Sequence, residues 1–493
     1  MKPPADGHGN CPHGMGREQP SGSRLPEAAG CLTSVFDAMD TGLYETVVGR
    51  QTDNPLQSAF PAKRVLHGDT RGAMLPRGEW NAALQAVWQR TGGGSKRSAY
   101  IHIPFCQRKC LYCGFFQNSC QEELETAYID RLVTELQMQA GSSYLDDPVN
   151  AVFIGGGTPS ALSPGNAGRL LKAIRDSLPL ANDCELTLEG RVHDLVPAKM
   201  ETWFQHGVNR ISLGVQSFDS KVRQAAGRLD SRETVLERLE TLSRYNQAAV
   251  IVDLIYGLPY QTPEIWQADL AFLKTAALDG WDLYQLNVYE NSDLKREIEA
   301  GRLPPAANTQ QQAAMFGAAH HLLDGWPVRQ ISVCHWARTG RERNLYNHMA
   351  QGGYTMLPFG AGAGGKIGGF SVLLERDVHR YISRIDSGEK PVMVMLAPHA
   401  SAALHDAVKD QLKQGYLDVG SLTGIFDPRL AGLDALLAAW EKSGLLVRGR
   451  GVARLTVAGQ FWYVNMTQSI LECINAMLHG EWLWEKQQVA AQG

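Results

Sequence analysis

Three cysteines that lie close together in the chain are the strongest chemical signal in the sequence. Cys106, Cys110 and Cys113 fall within eight residues, directly after a β-prone run. Three thiolates on one tight loop can hold three irons of a 4Fe–4S cluster and leave the fourth iron open to a chelating ligand, such as the amino and carboxylate groups of S-adenosylmethionine (SAM). The alternative is a zinc site with Cys120 or His102 as the fourth ligand. The spacing of the cysteines after a strand is not that of a zinc finger and favours the cluster.

Two further motifs place polar groups or bare backbone at the ends of predicted strands. The run from Gly155 to Pro159 reads Gly-Gly-Gly-Thr-Pro. Without a Cβ, its backbone N–H groups can approach a ligand closely, although an ordinary strand–helix turn is the alternative. Glu189 closes the next strand and can accept a hydrogen bond from a ribose hydroxyl or an ammonium group, if it is not simply a surface acid. Asp253 lies within an apolar strand, where a carboxylate is costly unless it is paired.

These residues need a scaffold, and strand–helix alternation supplies one. Six β-prone runs recur, over residues 100–105, 151–154, 185–189, 210–215, 249–257 and 283–289. Amphipathic stretches separate them, such as 121–140, where apolar residues return every third or fourth position as one helix face requires. Such alternation predicts an α/β fold with a parallel sheet. Six units suit a partial (β/α)6 barrel, with functional groups at the carboxyl ends of the strands.

Length, composition and charge exclude several classes of protein. The chain has 493 residues, 44% of them hydrophobic and 20% charged, and a formal net charge of −4. This balance argues against a nucleic-acid-binding surface spread over the whole chain. There is no apolar run of the ~20 residues that a membrane span needs and no apolar core of a secretory signal. Nine cysteines, an odd number, do not suggest a disulfide framework. We expect a cytoplasmic enzyme without a membrane span.

The sequence predicts four segments. Residues 1–40 are rich in proline, glycine and small polar residues and are expected to be disordered. Residues 41–95 read as a packed N-terminal extension, and residues 96–374 as the α/β core. Residues 375–493 are expected to form a mostly helical, winged-helix-like C-terminal domain, because helix-prone stretches there flank one short hairpin.

The cysteine loop also carries a family resemblance. The stretch YIHIPFCQRKCLYCGFF resembles the cluster loop of radical SAM enzymes, and HIPFC is similar to the branch that contains oxygen-independent coproporphyrinogen III oxidase. The resemblance extends from Tyr100 to about Val372. It implies a 4Fe–4S cluster on the three cysteines and SAM as cofactor, with the methionine end held by the glycine-rich loop. By motif, the residues expected to contact SAM or a second nucleoside are Tyr100, Tyr112, Gly114, Gly156, Gly157, Thr158, Glu189, Gln216, Arg228, Asp253 and Asn287.

Departures from the oxidases point to one subgroup. The oxidases carry another cysteine where this chain has Phe115, and their Ser-Asn-Phe-Ala block is replaced by Cys334-His335-Trp336-Ala337. The stretches GFFQN, CHWAR and NPLQSAFPAKRVLHGDT resemble the anaerobic haem-degrading radical methyltransferases, or anaerobilin synthases. The resemblance implies haem as substrate, methyl transfer, ring opening and iron release, with electrons from a flavodoxin-type or other low-potential donor.

Haem would need cations for its propionates and a ligand or proton donor near the ring. The available cations are Lys63, Arg64, Arg329, Arg338, Arg341 and Arg343, each of which could instead be a solvated surface charge. His335 is the preferred iron ligand or proton donor, and His13 beside Cys11-Pro12 is a weaker candidate. Two rival functions stay open: coproporphyrinogen III dehydrogenation and non-catalytic haem delivery by a chaperone.

Overall fold

The computed structural model describes residues 32–64, 72–91, 93–114 and 118–480. They form two compact units. The described residues of 1–66 and 417–493 make up the first unit, and those of His67–Tyr416 make up the second. Among all described residues, no helix combines the length and the apolar character that crossing a membrane requires. Cys11, His13 and Phe115 lie outside the described residues, so the expectations about them stay predictions.

The second unit is built on one twelve-stranded sheet. Its strands are β1 (Arg97–Ile103), β2 (Val149–Gly156), β3 (Leu180–Gly190), β4 (Arg210–Gln216), β5 (Ala249–Tyr256), β6 (Gly280–Gln285), β7 (Arg329–Ser332), β8 (His335–Ala337), β9 (Thr355–Phe359), β10 (Gly364–Ile367), β11 (Phe370–Leu374) and β12 (Val392–Leu396). They run in the order β12-β11-β10-β9-β1-β2-β3-β4-β5-β6-β8-β7. Neighbours from β9 through β1 to β6 pair in parallel. The six predicted strands correspond to β1–β6 in chain order, which confirms the partial (β/α)6 barrel.

Helices connect the parallel strands. The α-helices of this unit are Trp80–Trp88, Glu122–Gln139, Pro164–Ser177, Pro197–Gln205, Ser220–Ala225, Arg232–Tyr245, Pro263–Thr275, Asp293–Glu299, Thr309–Asp324, Leu345–Gln351, Val378–Asp386 and Ala402–Lys413. Several begin as the sequence dictates: Ser163 and Thr262 cap helices that open with proline, whose fixed φ suits the first helical position. A short parallel pair, Phe105–Cys106 with Asn118–Ser119, flanks the cysteine loop.

The compact units do not follow the predicted segment boundaries. The boundaries at 95/96 and 374/375 fall inside the second unit, because chain on both sides of them packs on the same sheet. Helix Trp80–Trp88 buries Trp80 and Leu84 in one cluster with Val372 and Met395. Strand β12, beyond residue 374, pairs with β11. The core therefore extends past both ends of 96–374.

The first unit joins the two ends of the described chain. Its α-helices are Leu32–Asp37, Thr41–Val47, Pro55–Ser58, Val419–Ile425, Asp434–Lys442, Val457–Phe461 and Tyr463–His479, and its short strands are Leu446–Arg448 and Ala453–Leu455. A further short strand, Tyr416–Leu417, begins at the last residue of the second unit. The helix–hairpin–helix order confirms a mostly helical C-terminal region. The indole N–H of Trp440 donates to the carbonyl of Val48 at 3.0 Å. Helix Leu32–Asp37 corrects the expected disorder of residues 32–40, because its apolar residues Leu32, Val35 and Phe36 are buried.

Candidate active site

The cysteine loop follows β1 and is held by backbone contacts. Cys106 and Cys110 are buried, whereas Cys113 is half-buried. The N–H of Leu111 donates to the carbonyl of Ala226 at 3.3 Å, and the N–H of Cys113 donates to the carbonyl of Cys110 at 3.1 Å. Burial raises the pKa of the Cys106 thiol. A metal cluster would supply the positive charge that a thiolate needs there.

The three thiols fit a cluster better than a zinc ion. In the described chain, no three His, Cys, Asp or Glu side chains are placed to hold one metal ion. Cluster ligands bind separate irons and need not converge on one point. Both candidates for a fourth zinc ligand have other partners: Cys120 donates to the Glu125 carboxylate at 3.2 Å, and Nδ1 of His102 lies 3.0 Å from the Tyr100 hydroxyl.

The glycine-rich loop is bound tightly to the cysteine loop. The N–H groups of Gly157 and Thr158 donate to the carbonyls of Ile103 and Phe105 at 2.7 and 2.8 Å. This corrects the expectation that these N–H groups are available to a ligand. A Cβ on Gly157 would lie 2.4 Å from the Phe105 oxygen, so only glycine allows this approach. The loop therefore supports the cluster-binding segment directly.

Glu189 lies over the start of this loop. Its Oε2 accepts from the N–H of Gly156 at 3.3 Å and would be 2.7 Å from a Cβ on Gly155. Burial raises the pKa of Glu189 to about 7, against the opposing effects of that hydrogen bond and of Arg210. A carboxyl group that is costly to ionise is suited to meet a cation or a hydroxyl of a ligand.

Aromatic rings lie next to Glu189. Tyr100 stacks with Phe153 and with Tyr346, with ring centroids 6.3 and 6.1 Å apart. The Tyr100 hydroxyl holds the His102 ring at Nδ1, and burial, followed by the charge of Arg376, lowers the pKa of His102 to about 4. The imidazole is therefore neutral at physiological pH.

Pairing between four neighbouring strands brings predicted residues that are distant in the sequence close together. Gly214 of β4 pairs with Asp253 of β5, which pairs with Asp282 of β6, which pairs with His335 of β8. Residues that pair across neighbouring strands lie side by side on one face of the sheet. Asp253 thus has a second carboxylate, Asp282, as its neighbour, which the sequence analysis did not identify.

Gln216 and Arg228 occupy the space beside Gly214. A Cβ on Gly214 would lie 2.6 Å from the Gln216 amide nitrogen and 2.8 Å from the Arg228 guanidinium. Arg228 donates to the Tyr112 hydroxyl at 3.0 Å, which joins this pair to the cysteine loop. Gln216 itself has a φ of 73° at an irregularity between β4 and β5, which turns its side chain out of the strand pattern.

Buried polar atoms without partners mark this region as a ligand site. Within the described residues, Gln216 Oε1, Arg228 Nε and His102 Nε2 are buried and make no hydrogen bond. Buried polar atoms are rarely left unpaired, so a missing ligand is a natural partner. Arg228 also lines a cavity of about 220 Å³, together with Thr158, Gly214 and others. These residues fit the polar groups of SAM beside the cysteine loop.

Two of the predicted contact residues lie at the same end of the sheet without a defined role. A Cβ on Gly114 would lie 3.8 Å from the Tyr289 ring. Asn287 is exposed in the segment after β6. Their contact with a nucleoside stays a prediction.

His335 is placed differently from the expectation. Its ring is fully buried, with Nδ1 2.7 Å from Asp282 Oδ2 and Nε2 3.1 Å from Glu342 Oε1. Both nitrogens are engaged by carboxylates, so neither can coordinate haem iron, and the buried ring cannot donate a proton to a substrate directly. The sequence offered a signal for this arrangement, because Asp282 and Arg210 are charged residues within apolar strands, as Asp253 is.

The cations expected to hold the haem propionates are engaged elsewhere. Arg338 donates to the carbonyls of Leu273 and Lys274 at 3.2 and 2.7 Å and so caps a helix. Its neighbour Ala337 pairs with Gly280, the first residue of β6, which places Arg338 at the amino end of the parallel strands. The side chains of four others bind protein groups as follows: Arg341 binds Asn246, Arg343 binds Asp183, Arg329 approaches the Glu342 carbonyl, and Lys63 binds the Phe461 carbonyl. For Arg64, the backbone N–H donates to Asn465, and this bond does not involve the guanidinium.

Comparison with known proteins identifies the family of this chain. Residues 100–273 match the family model of the radical SAM superfamily. Anaerobilin synthase of Escherichia coli O157:H7 is 38% identical over 418 residues, which cover 83% of this chain and 93% of that protein. The heme chaperone HemW of Bacillus subtilis (strain 168) is 29% identical over 59% of this chain and 76% of its own length.

A solved structure shows the same fold. Coproporphyrinogen III oxidase (HemN) from Escherichia coli, a radical SAM enzyme, superposes with a TM-score of 0.68 at 23% sequence identity, over 79% of this chain and 92% of its own. At this identity the likeness supports the fold alone. The family rests instead on the near-complete coverage of anaerobilin synthase: this chain belongs to the radical SAM superfamily and, within it, to the anaerobilin synthase family.

Proposed function

We propose that this protein is a radical SAM methyltransferase that opens the haem macrocycle without oxygen and releases iron and a methylated linear tetrapyrrole, anaerobilin. The observation that carries the proposal is the similarity to anaerobilin synthase over nearly the whole of that protein. The rival activities belong to relatives that this chain matches at lower identity.

Different residues of the site would hold the cluster and the cofactor. Cys106, Cys110 and Cys113 would hold a 4Fe–4S cluster, which, when bound and reduced, supplies the electron that cleaves a C–S bond of SAM and yields a carbon radical. Gln216 and Arg228 offer unpaired polar atoms to SAM. Their part is to bind and orient the cofactor and to exclude water.

The source of electrons and the cellular compartment belong to the same proposal. Cluster reduction requires a low-potential donor, for which a flavodoxin-type protein is the natural class. The absence of disulfides among the cysteines of the described residues suits a reducing compartment such as the cytoplasm.

The test is anaerobic absorption spectroscopy of the reconstituted protein with haem, SAM and a low-potential reductant. We expect the Soret band to bleach only when SAM is present and a methylated linear tetrapyrrole to appear by mass spectrometry. Cys110→Ala should abolish bleaching. The matched control is Cys120→Ala, which removes a nearby thiol outside the ligand set and should leave bleaching intact.

Three other outcomes would each contradict part of this proposal. A Soret band that persists with haem still bound would overturn the enzyme and support a haem carrier. Absence of haem binding, with turnover of coproporphyrinogen III instead, would support the dehydrogenase. Loss of the cluster in Cys120→Ala would favour a four-cysteine site.

A further inference from the structure

Four buried side chains form a line of alternating charge below the proposed cofactor site. Nε of Arg210 lies 3.0 Å from Glu342 Oε2, and its Nη2 lies 3.1 Å from Glu342 Oε1. Oε1 of Glu342 lies 3.1 Å from Nε2 of His335, whose Nδ1 is 2.7 Å from Asp282 Oδ2. None of the four side chains is more than 6% exposed. The line begins on β4 and ends on β6.

The geometry determines the charge of His335. An ionised carboxylate can only accept hydrogen bonds, so a ring that faces one carboxylate at each nitrogen must donate from both and is an imidazolium. Burial opposes this charge, but Asp282 and Glu342 outweigh it and raise the pKa of His335 to about 10. Burial likewise opposes ionisation of Glu342, yet Arg210 and His335 lower its pKa to about 2. Two cations and two anions leave the line neutral.

Asp253 lies at the end of this line and faces a crowded set of charges. Its neighbours are Asp282, Glu189, Arg210 and His335. Burial and the adjacent Asp282 carboxylate raise the pKa of Asp253 well above its usual value. Two adjacent buried carboxyl groups do not both ionise readily. Asp282 is in contact with the His335 imidazolium at 2.7 Å, whereas Asp253, whose pKa is raised, retains its proton and can donate to an acceptor in the site.

We propose that His335 is a positioning residue, which ties Asp282 to the Glu342–Arg210 pair and thereby fixes Asp253 for its contact with the nucleoside of SAM. This inference rests on the proposed function for the presence of SAM in the site. It replaces the direct role in haem ligation that the sequence suggested. It also assigns a purpose to Asp282, Glu342 and Arg210, which no motif identified.

Asparagine is the informative replacement for His335, because its amide is neutral at every pH tested and still offers a hydrogen-bond donor and an acceptor. In His335→Asn, two buried carboxylates lose their shared cation, and Asp253 loses a nearby positive charge that lowers its pKa. The net charge of the side chains around Asp253 should then change with pH over a range in which the wild-type charges stay constant. A residue that only fills space would not produce such a change.

The experiment measures the Kd for SAM by equilibrium dialysis on cluster-reconstituted protein between pH 6 and 9, without haem or reductant. We expect the wild-type Kd to vary less than about twofold and the Kd of His335→Asn to be at least about tenfold higher at pH 7 and to change with pH. The matched control is His320→Asn, since His320 packs on Trp336, the neighbour of His335, with a ring separation of 5.3 Å but outside the line. It should keep the wild-type Kd and pH profile.

A second variant tests the same proposal in case His335→Asn fails to fold. Glu342→Gln keeps the shape and removes one charge, so it should raise the Kd by a smaller factor while iron content stays at the wild-type level. An unchanged Kd and a flat pH profile in folded His335→Asn or Glu342→Gln would overturn the positioning role. Failure of wild-type protein to bind SAM would overturn both proposals, whereas SAM binding without haem loss would overturn the haem-opening activity alone.

Discussion

The hydroxyl of Thr158 donates a hydrogen bond to the Sγ of Cys106 at 3.2 Å. This contact joins the glycine-rich loop after β2 to the first predicted cluster ligand after β1. A hydrogen bond to a ligating sulfur stabilises its negative charge and raises the reduction potential of the cluster. The loop that borders the cavity thus also contacts a predicted cluster ligand.

Removal of this hydrogen bond should make the cluster harder to reduce. In Thr158→Val the shape is kept but the donor is lost, so we expect a more negative reduction potential by anaerobic redox titration followed by electron paramagnetic resonance. Thr158→Ser keeps the hydroxyl and is the control. Equal potentials in the valine and serine variants would show that the contact does not affect the cluster.

The glycine-rich loop should tolerate no side chain at Gly156. Its φ is 108°, and a Cβ there would lie 2.6 Å from the His102 ring. Strain and overlap together should lower the free energy of unfolding of Gly156→Ala by about 2–4 kcal/mol, measured by urea denaturation, and weaken SAM binding. Gly165→Ala is the matched control because nothing lies within 4 Å of a Cβ there. It should change stability by less than about 1 kcal/mol, and equal losses in both variants would refute the steric argument.

The local sequence pattern predicts the six parallel strands. It does not predict which residues become neighbours through pairing of strands that are far apart in the chain. Runs such as Ala249–Tyr256 are apolar and precede amphipathic helices, which is a local signal. Strand β9 was not predicted, because it is short, contains Pro358 and pairs with β1 more than 200 residues earlier in the chain. His335 was interpreted as a ligand because its partner Asp282 is adjacent only through the pairing of β8 with β6.

The imidazolium of His335 should make stability depend on pH. Its folded-state pKa of about 10 lies above the ordinary value of 6.5. The stabilisation is therefore fully present below about pH 6.5 and is lost as pH rises towards 10. We expect the free energy of unfolding of the wild type to fall between pH 7 and 9, relative to His335→Gln, by up to ~1.4 kcal/mol per pH unit. Parallel curves for the two proteins, from urea denaturation at each pH, would show that His335 does not change its protonation on unfolding.

A second buried ion pair, between helix Glu122–Gln139 and the segment before β12, should show how much the stability of the protein depends on charge pairing. Glu135 is fully buried and contacts the Lys390 ammonium at 2.6 Å, and it also accepts from the Tyr381 hydroxyl at 2.6 Å and the Gly360 N–H at 2.8 Å. Lys390→Met leaves this carboxylate without its cation and should cost about 3–5 kcal/mol in the free energy of unfolding. The double variant Glu135→Gln with Lys390→Met keeps an acceptor for Tyr381 and Gly360 and removes the buried charge.

The double variant should therefore be more stable than Lys390→Met alone by at least about 1 kcal/mol, since an unpaired buried charge costs more than a missing ion pair. Urea denaturation of the four proteins of the cycle measures this difference. Lys172→Met is the control: its partner Asp176 is exposed, so the loss of that pair should stay within about 1 kcal/mol. If the double variant is no more stable than Lys390→Met, the cost of that substitution lies in the lost packing of the lysine stem and not in the charge left on Glu135.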